Sequence, residues 1–137
     1  MKKLNLILLI DDDAATNFFH KLILEKENCC ENIVCKENGE DALEYLSTKT
    51  DNEYPAPELI FLDINMPRMN GWEFLKAYEE LEAYKKAKKV IIMLTTSLNP
   101  TDKEKAKEIV SINDFMSKPL TSKKIQSILN SFDSFFQ

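Results

Sequence analysis

The sequence predicts an α/β fold, in which helices cover both faces of a parallel β-sheet. Continuous apolar runs, typical of strands buried on both faces, alternate along the chain with segments of helical periodicity. With 137 residues, of which 44% are hydrophobic and 30% are charged, the chain is long enough to bury one core. We therefore expect a single domain over residues 1–137.

Five strands are predicted in chain order. The three strongest candidates are continuous apolar runs at residues 6–10, 59–62 and 90–94. Residues 33–35 and 115–116 are shorter and weaker candidates. Short buried strands that alternate with helices indicate parallel pairing, because a parallel pair needs a crossover connection that is usually a helix.

Helical periodicity fills the intervals that follow the strands. Three helix starts are indicated by the capping residues Asn38, Asn70 and Asn99, the last of which precedes a proline. The first helix is expected to bury a face comprising Ala15, Phe18, Leu22 and either Ile23 or Leu24. The third helix is expected to bury Phe74, Leu75, Tyr78 and Leu81. The last helix is expected to bury Ile125, Ile128, Leu129, Phe132 and Phe136 and to leave Phe135 at the surface.

The order of elements fits a flavodoxin-like (βα)5 fold, whose five strands have the spatial order 2-1-3-4-5. The longest connection, residues 47–57, is polar and contains two prolines, which is typical of an exposed loop. In sheets of this kind, ligands bind beyond the carboxyl ends of the strands, where the first and third strands meet. We expect the functional site at that edge.

Four carboxylates fall at this predicted edge. Asp11, Asp12 and Asp13 directly follow the first strand, and Asp63 follows the third. Unneutralised carboxylates in a partly buried site repel each other, so a cation is needed. Hard oxygen ligands suit Mg²⁺, which uses few protein ligands and keeps several waters. Asp13 also has the position of an N-cap for the first helix.

Hydroxyl groups and a lysine follow the two remaining strands at the same edge. Thr95, Thr96 and Ser97 come after the fourth strand, and Lys118 comes after the fifth, before Pro119. Carboxylates, a divalent cation, a hydroxyl and a lysine are the groups needed to transfer a phosphoryl group to an aspartate. The sequence therefore predicts phosphoryl chemistry at the strand ends.

The composition excludes several classes of function. The only glycines, Gly39 and Gly71, cannot form a glycine-rich phosphate loop, which excludes dinucleotide-binding and P-loop proteins. The net charge of −5 gives no basic surface for nucleic acid, and no apolar stretch reaches the length of a membrane span. No signal peptide is visible, and we interpret Cys29, Cys30 and Cys35 as reduced thiols. These features predict a cytoplasmic protein that binds neither nucleic acid nor membranes.

Four motifs resemble those of a known family, the CheY-like receiver domain of two-component response regulators. They lie at residues 8–13, 62–71, 94–97 and 117–120, and the resemblance runs through nearly the whole chain. The string from Asp63 to Gly71, D-x-N-M-P-x-M-x-G, is the most specific. The resemblance implies the same (βα)5 fold.

The resemblance also implies roles for individual residues. Asp63 is expected to be the phosphoacceptor. Mg²⁺ is expected to bind Asp12 directly, Asp11 mainly through water, and also Asp63 and the backbone carbonyl of Asn65. The switch hydroxyl would be Thr95.

Two further roles follow from the same resemblance. Lys118 is expected to pair with a phosphoryl oxygen, and Phe115 occupies the position of the switch aromatic residue. Asn65 and Ser97 hold the positions that tune the lifetime of the phosphoryl group in this family.

The function that the resemblance implies is that of a signalling switch with no separate output domain. A histidine kinase or phosphotransfer protein would donate the phosphoryl group. Phosphorylation would alter the face formed by the fourth helix, the fifth strand and the fifth helix, where an effector protein would bind. We expect a monomer or a weak, phosphorylation-dependent dimer, with no enzymatic activity beyond accepting and losing its own phosphoryl group.

Two alternatives stay open at this point. A haloacid-dehalogenase-like phosphatase also uses aspartate and Mg²⁺, but its motif needs threonine or valine where this chain has Ala15. A purely structural adaptor would ignore phosphorylation. The single histidine, His20, is interpreted as a surface or helix-packing side chain with no part in the chemistry.

Overall fold

The computed structural model describes residues 3–86, 88–96 and 98–136. Ser97, one of the predicted hydroxyl residues and tuning positions, lies outside the described residues, as does the side chain of Phe136. The strands are β1 (Leu4–Ile10), β2 (Cys30–Lys36), β3 (Leu59–Asp63), β4 (Val90–Thr95) and β5 (Asp114–Ser117). The helices are α1 (Ala14–Glu27), α2 (Gly39–Ser47), α3 (Gly71–Glu79), α4 (Glu82–Lys86), α5 (Pro100–Lys107) and α6 (Ser122–Asn130).

The five strands form one parallel sheet in the order β2-β1-β3-β4-β5, which confirms the predicted topology. Ile10 pairs with Leu62, and Thr95 pairs with Ser117. This register brings the carboxyl ends of β1, β3, β4 and β5 to one edge of the sheet. The residues that follow these ends are therefore neighbours in space.

Side chains on the two faces of the sheet form two core clusters, because alternate residues of a strand point to opposite faces. The first cluster contains Leu8 and Ile10 of β1 together with residues of α2, α3 and α5. The second cluster contains Ile7 and Leu9 together with residues of α1 and α6. Helices therefore cover both faces, as predicted.

The predicted buried face of α1 is confirmed at Leu24 and is wrong at Ala15, Phe18 and Leu22. Phe18 is 64% exposed and Leu22 is 48% exposed, whereas Asn17, His20 and Leu24 are buried. The buried residues have i, i+3 and i+7 spacing, so they form one helix face. Two of them are polar. Asn17 Nδ2 and His20 Nε2 find hydrogen-bond partners on neighbouring elements, which offsets part of the cost of burial, whereas Asn17 Oδ1 has no hydrogen-bond partner among the described residues. Of the two interpretations of His20, a surface or a helix-packing side chain, its burial agrees with the second.

Three predicted helix details also need correction. The third helix ends at Glu79, and a short separate helix, α4, follows it; hence the fourth and fifth predicted helices are α5 and α6. The last helix ends at Asn130, and a 3-10 helix spans Phe132–Phe136. Phe135 is half-buried rather than exposed, since this change of helix type packs it against the second core cluster. Across the described residues, we find no helix with the length and apolar character needed to span a membrane.

Candidate functional site

The end of β1 and the end of β3 bring three carboxylates together. Asp11 and Asp63 are buried, and Asp12 is exposed. Ligand oxygens of Asp11, Asp12 and Asp63 all lie within 4.8 Å of one another. Parallel strands produce this juxtaposition, because residues beyond adjacent carboxyl ends share the same edge.

Asp13, the fourth predicted carboxylate, has a structural role. Its side chain accepts hydrogen bonds from the backbone N–H of Ala15 at 3.0 Å and from the hydroxyl of Thr16 at 3.0 Å. The bond from Thr16, followed by the bond from Ala15, lowers the pKa of Asp13. Asp13 is thus the N-cap of α1 and is turned to the helix rather than to the carboxylate cluster.

Lys118 places a positive charge between the two buried carboxylates. Its Nζ lies 2.5 Å from Oδ2 of Asp11 and 3.0 Å from Oδ1 of Asp63. Burial disfavours the charge on Lys118, but hydrogen bonds to Asp11 and Asp63 outweigh that effect and raise its pKa. The lysine therefore stays protonated.

One lysine does not neutralise the cluster. Burial, and then the charge of Asp11, raises the pKa of Asp63, and the contact with Lys118 only partly offsets this. Three carboxylates against one ammonium leave a negative site that is open to solvent on the side of Asp12. Clustered hard oxygen ligands with an open side fit Mg²⁺, which retains part of its water shell.

The β3–α3 loop is anchored on both sides. At its end, Asn70 and Glu73 form a reciprocal capping box that starts α3. A Cβ atom on Gly71 would come within 2.6 Å of the backbone oxygen of Asp63, so only glycine fits there without a shift. Arg68 adopts a left-handed φ of 66° and its Nε lies 2.9 Å from Glu40 on α2. These contacts hold the segment that follows Asp63.

The remaining predicted site residues lie at the same edge or on β5. Thr95 is buried at the end of β4, and its carbonyl accepts a hydrogen bond of 2.7 Å from the backbone N–H of Lys118. Thr96 is exposed and lines a cavity of about 450 Å³ with Lys118. Phe115 is half-buried against the first core cluster, and Asn65 is an exposed residue of the β3–α3 loop.

Three residues that hold these loops have no assigned role in the sequence analysis: Asn17, His20 and Lys124. Asn17 Nδ2 donates to the backbone oxygens of Asp11 at 3.0 Å and Lys36 at 3.2 Å, which joins the ends of β1 and β2. The i, i+3 spacing of Asn17 and His20 after an acidic motif is the sequence signal that could have indicated a polar buried face.

The turn that carries Lys118 is tied to two helices. Lys124 of α6 donates to the carbonyl of Ser117 at 2.8 Å and to that of Pro119 at 3.0 Å. His20 of α1 accepts a hydrogen bond of 3.2 Å at Nε2 from the backbone N–H of Leu120. The Lys118–Pro119 peptide bond is cis.

An exposed apolar patch borders the site on α1. Phe18 is 64% exposed, and Phe19 and Leu22 are each 48% exposed. Phe19 also lines the cavity that contains Lys118 and Pro119. The patch therefore continues into the cavity beside Lys118.

The chain is similar to known proteins over most of its length. Residues 7–130 match the family model of the response regulator receiver domain. Two-component response regulator ORR1 of Oryza sativa subsp. japonica is 27% identical over 126 residues, covering 90% of this chain and 53% of the rice protein. The chain thus spans about half the length of that relative.

Solved structures extend the similarity to the fold. The crystal structure of a two component response regulator from Cytophaga hutchinsonii aligns with a TM-score of 0.87 at 31% identity, covering 97% of this chain and 99% of that one. Chemotaxis response regulator CheY4 of Vibrio cholerae aligns with a TM-score of 0.74 at 25% identity, covering 95% and 99% of the two chains.

Proposed function

Since the chain belongs to the response regulator receiver family, we propose that it is a phosphorylation-dependent switch whose phosphoacceptor is Asp63. Receiver domains of two-component systems are signalling switches rather than conventional enzymes. The observation that carries the proposal is the contact of Lys118 with both Asp11 and Asp63 at the edge of the sheet. We propose that residues 1–137 act as one switch unit.

Asp63 is the nucleophile of the proposed reaction. One of its carboxylate oxygens attacks the phosphorus of a phosphohistidine on a histidine kinase or phosphotransfer protein. The new P–O bond forms as the P–N bond breaks, and the departing imidazole takes up a proton from solvent. Burial raises the pKa of Asp63 to about 6, so the carboxylate is mainly ionised and reactive at neutral pH.

Mg²⁺ fits the same carboxylates. Asp11, Asp12, Asp63 and the backbone carbonyl of Asn65 would hold the ion, which when bound neutralises negative charge on the phosphoryl oxygens. Lys118 contributes the protein's own positive charge. On phosphorylation its ammonium moves from the Asp63 carboxylate to a phosphoryl oxygen, so no buried charge is left unpaired.

The switch step begins at Thr95. Its hydroxyl turns toward the new phosphoryl group, and the half-buried ring of Phe115 moves further inward. The face formed by α5, β5 and α6 then changes and binds an effector protein. Among residues 100–107 of α5, which the structure describes in full, only Ala106 is buried, so this helix is weakly anchored and suited to movement.

The exposed apolar surface next to the site suits a protein as the phosphoryl donor better than it suits a small molecule. The patch formed by Phe18, Phe19 and Leu22 continues into the cavity beside Lys118. A donor protein that reaches Asp63 from this side covers these side chains, which removes apolar surface from water. We propose this patch as the donor-facing surface.

The proposed function is tested with acetyl phosphate and Mg²⁺. We expect intact-protein mass spectrometry to show the addition of one phosphoryl group, with the modification located on Asp63 by peptide mapping. Asp63→Asn and a chelator should each abolish it. The matched control is Asp13→Asn, because asparagine also caps helices and Asp13 is turned to the α1 N-terminus.

Three outcomes would contradict the proposal. They are the absence of any phosphoryl mass on the wild type, its persistence in Asp63→Asn, and its loss in Asp13→Asn alone. Steady hydrolysis of a phosphate monoester would instead favour the phosphatase alternative. Unchanged partner binding with beryllofluoride would favour the adaptor alternative.

A further inference from the structure

His20 is a buried polar residue far in sequence from the turn it contacts. Its side chain is 1% exposed, and its Nε2 accepts the backbone N–H of Leu120, 100 residues along the chain. The hydrogen bond joins α1 to the turn at residues 117–120. A hydrophobic residue at this position would leave the Leu120 N–H buried without a partner, which is unfavourable because the donor has lost its hydrogen bonds to water.

The turn at residues 117–120 carries Lys118, and hydrogen bonds fix its backbone. The N–H of Lys118 donates to the carbonyl of Thr95, and Lys124 binds the carbonyls on either side of Lys118. These contacts come from β4 and α6. The bond to His20 attaches the end of the turn to α1.

The same face of α1 also forms a hydrogen bond to the end of β1, which carries Asp11. Asn17, three residues before His20, donates to the carbonyl of Asp11. One rigid helix therefore contacts both the strand end that carries Asp11 and the turn that carries Lys118. Between these two points of contact with α1, Nζ of Lys118 lies 2.5 Å from Oδ2 of Asp11.

We propose that His20 is a positioning residue for phosphoryl transfer, which holds the turn at residues 117–120 so that Lys118 reaches Asp63. The catalytic consequence rests on the proposed function. The geometric part, that the His20–Leu120 hydrogen bond sets the position of the lysine, stands independently of it. A displacement of about 1 Å in a charge-stabilising group can reduce a rate on the order of a hundredfold.

The imidazole is suited to this role because it stays neutral. Burial lowers the pKa of His20 to about 4, so Nε2 keeps its lone pair at neutral pH and can accept the N–H. A protonated imidazolium has no acceptor. The hydrogen bond between His20 and Leu120 is therefore intact at neutral pH.

Three variants separate positioning from general packing. His20→Leu fills similar space without an acceptor, and His20→Met is a second variant in case leucine prevents folding. His20→Gln restores an acceptor at the end of the side chain. The matched control is Leu24→Val, which trims a fully buried apolar side chain one turn along the same face and removes no hydrogen bond to residues 117–120.

Two measurements are made on each variant. The first is the second-order rate constant for phosphorylation by acetyl phosphate at saturating Mg²⁺. The second, by NMR, combines amide hydrogen exchange at Leu120 with the scalar coupling across the contact between Lys118 Nζ and the Asp63 carboxylate. Urea denaturation gives the stability of each variant for comparison with Leu24→Val.

We expect His20→Leu and His20→Met to lose about tenfold in rate, to exchange the Leu120 amide about tenfold faster, and to lose the Lys118–Asp63 contact. His20→Gln and Leu24→Val should stay within about twofold of the wild type. Equal losses in His20→Leu and Leu24→Val at equal stability would overturn the proposal, as would an unchanged Lys118–Asp63 contact in His20→Leu. If the wild type takes no phosphoryl group, the proposed function fails, while the NMR contact and amide exchange still decide the geometric part.

Discussion

At the scale of single residues, charge balance governs this site. Asp11 and Asp63 are buried side by side, and Lys118 contacts both. Exposed Asp12 completes a cluster of three carboxylates, whose total negative charge exceeds the positive charge of Lys118. The metal-free protein therefore stores electrostatic repulsion that ligands relieve, which is a common way for a functional site to trade stability for activity.

Asp63→Asn should stabilise the metal-free protein at pH 8 by roughly 1–2 kcal/mol. Because the pKa of Asp63 is raised to about 6, the folded wild type binds more protons than the unfolded chain between about pH 4 and pH 6. This contribution to the free energy of unfolding is lost as the pH rises through that range. Urea denaturation in a chelator should thus show a difference at pH 8 that disappears near pH 4.

The comparison is internally controlled. Both proteins contain His20, whose pKa is lowered to about 4, so its opposite pH dependence cancels in the difference. Asp114→Asn, on the exposed start of β5, should show no such gain. A destabilised Asp63→Asn at pH 8 would contradict this account of the site.

Gly71→Ala should destabilise the protein by about 2 kcal/mol or more and slow phosphorylation of Asp63. The added Cβ would lie 2.6 Å from the backbone oxygen of Asp63 and 3.0 Å from Cα of Ile64, and backbone atoms cannot move aside cheaply. Gly39→Ala is the matched control. Its Cβ would meet the end of the flexible Met69 side chain, so we expect a smaller loss of stability in urea denaturation. A larger loss for Gly39→Ala would refute the argument.

At the scale of elements, α1 has two faces with different tasks. Its inner face presents Asn17 and His20 to the ends of β1 and β2 and to the turn that carries Lys118. Its outer face leaves Phe18, Phe19 and Leu22 in solvent. Apolar surface of this kind next to a reaction site is typical of a binding surface.

The double variant Phe18→Ser, Phe19→Ser should lose about tenfold or more in phosphorylation by a phosphorylated phosphotransfer protein that serves the wild type. Loss of two interface aromatics typically costs this much binding energy. The rate with acetyl phosphate should stay within about twofold, because this small donor needs no docking surface. Radiolabel transfer measures both rates.

Leu98→Ser is the control for this prediction, since Leu98 is also exposed, at 52%, but lies beyond β4 rather than on α1. It should leave transfer from the protein donor unchanged. Equal loss with both donors in the double variant would show that the phenylalanines support the fold or the site instead of docking.

At the scale of the whole molecule, the sheet determines the site. The order β2-β1-β3-β4-β5 places β3 between β1 and β4, so Asp63 is flanked by the acidic strand end and by the threonine strand end. Each side of the sheet has its own core cluster. The edge where the site lies is therefore held by strands that are buried on both faces.

Mg²⁺ should raise the free energy of unfolding by about 1.4 kcal/mol when present at ten times its dissociation constant, since the carboxylate cluster that would hold it is assembled only in the folded chain. Thermal denaturation across a Mg²⁺ titration measures the effect. Asp12→Asn, at an exposed position, should fold normally and lose most of this stabilisation. An equal response in Asp12→Asn would exclude the cluster as the binding site.

The strand order and the edge at which Asp11, Asp63, Thr95 and Lys118 meet follow from the sequence alone, and the structure agrees. Short apolar runs that alternate with helices leave few topologies, and the carboxyl ends of parallel strands always share one edge. Local capping residues also predicted helix starts correctly, for example at Asn70, because a cap depends only on residues within one turn.

Which face of α1 is buried depends instead on contacts with elements that are distant in sequence. Hydrophobic periodicity favoured Phe18 and Leu22, yet the helix buries Asn17 and His20. The partners that favour this rotation are Lys36 and Leu120, which are distant in sequence and pair through their backbone atoms with Asn17 Nδ2 and His20 Nε2. A pattern of apolar residues contains no information about such long-range hydrogen bonds, so the attachment of Lys118 to α1 emerges only when the chain is folded.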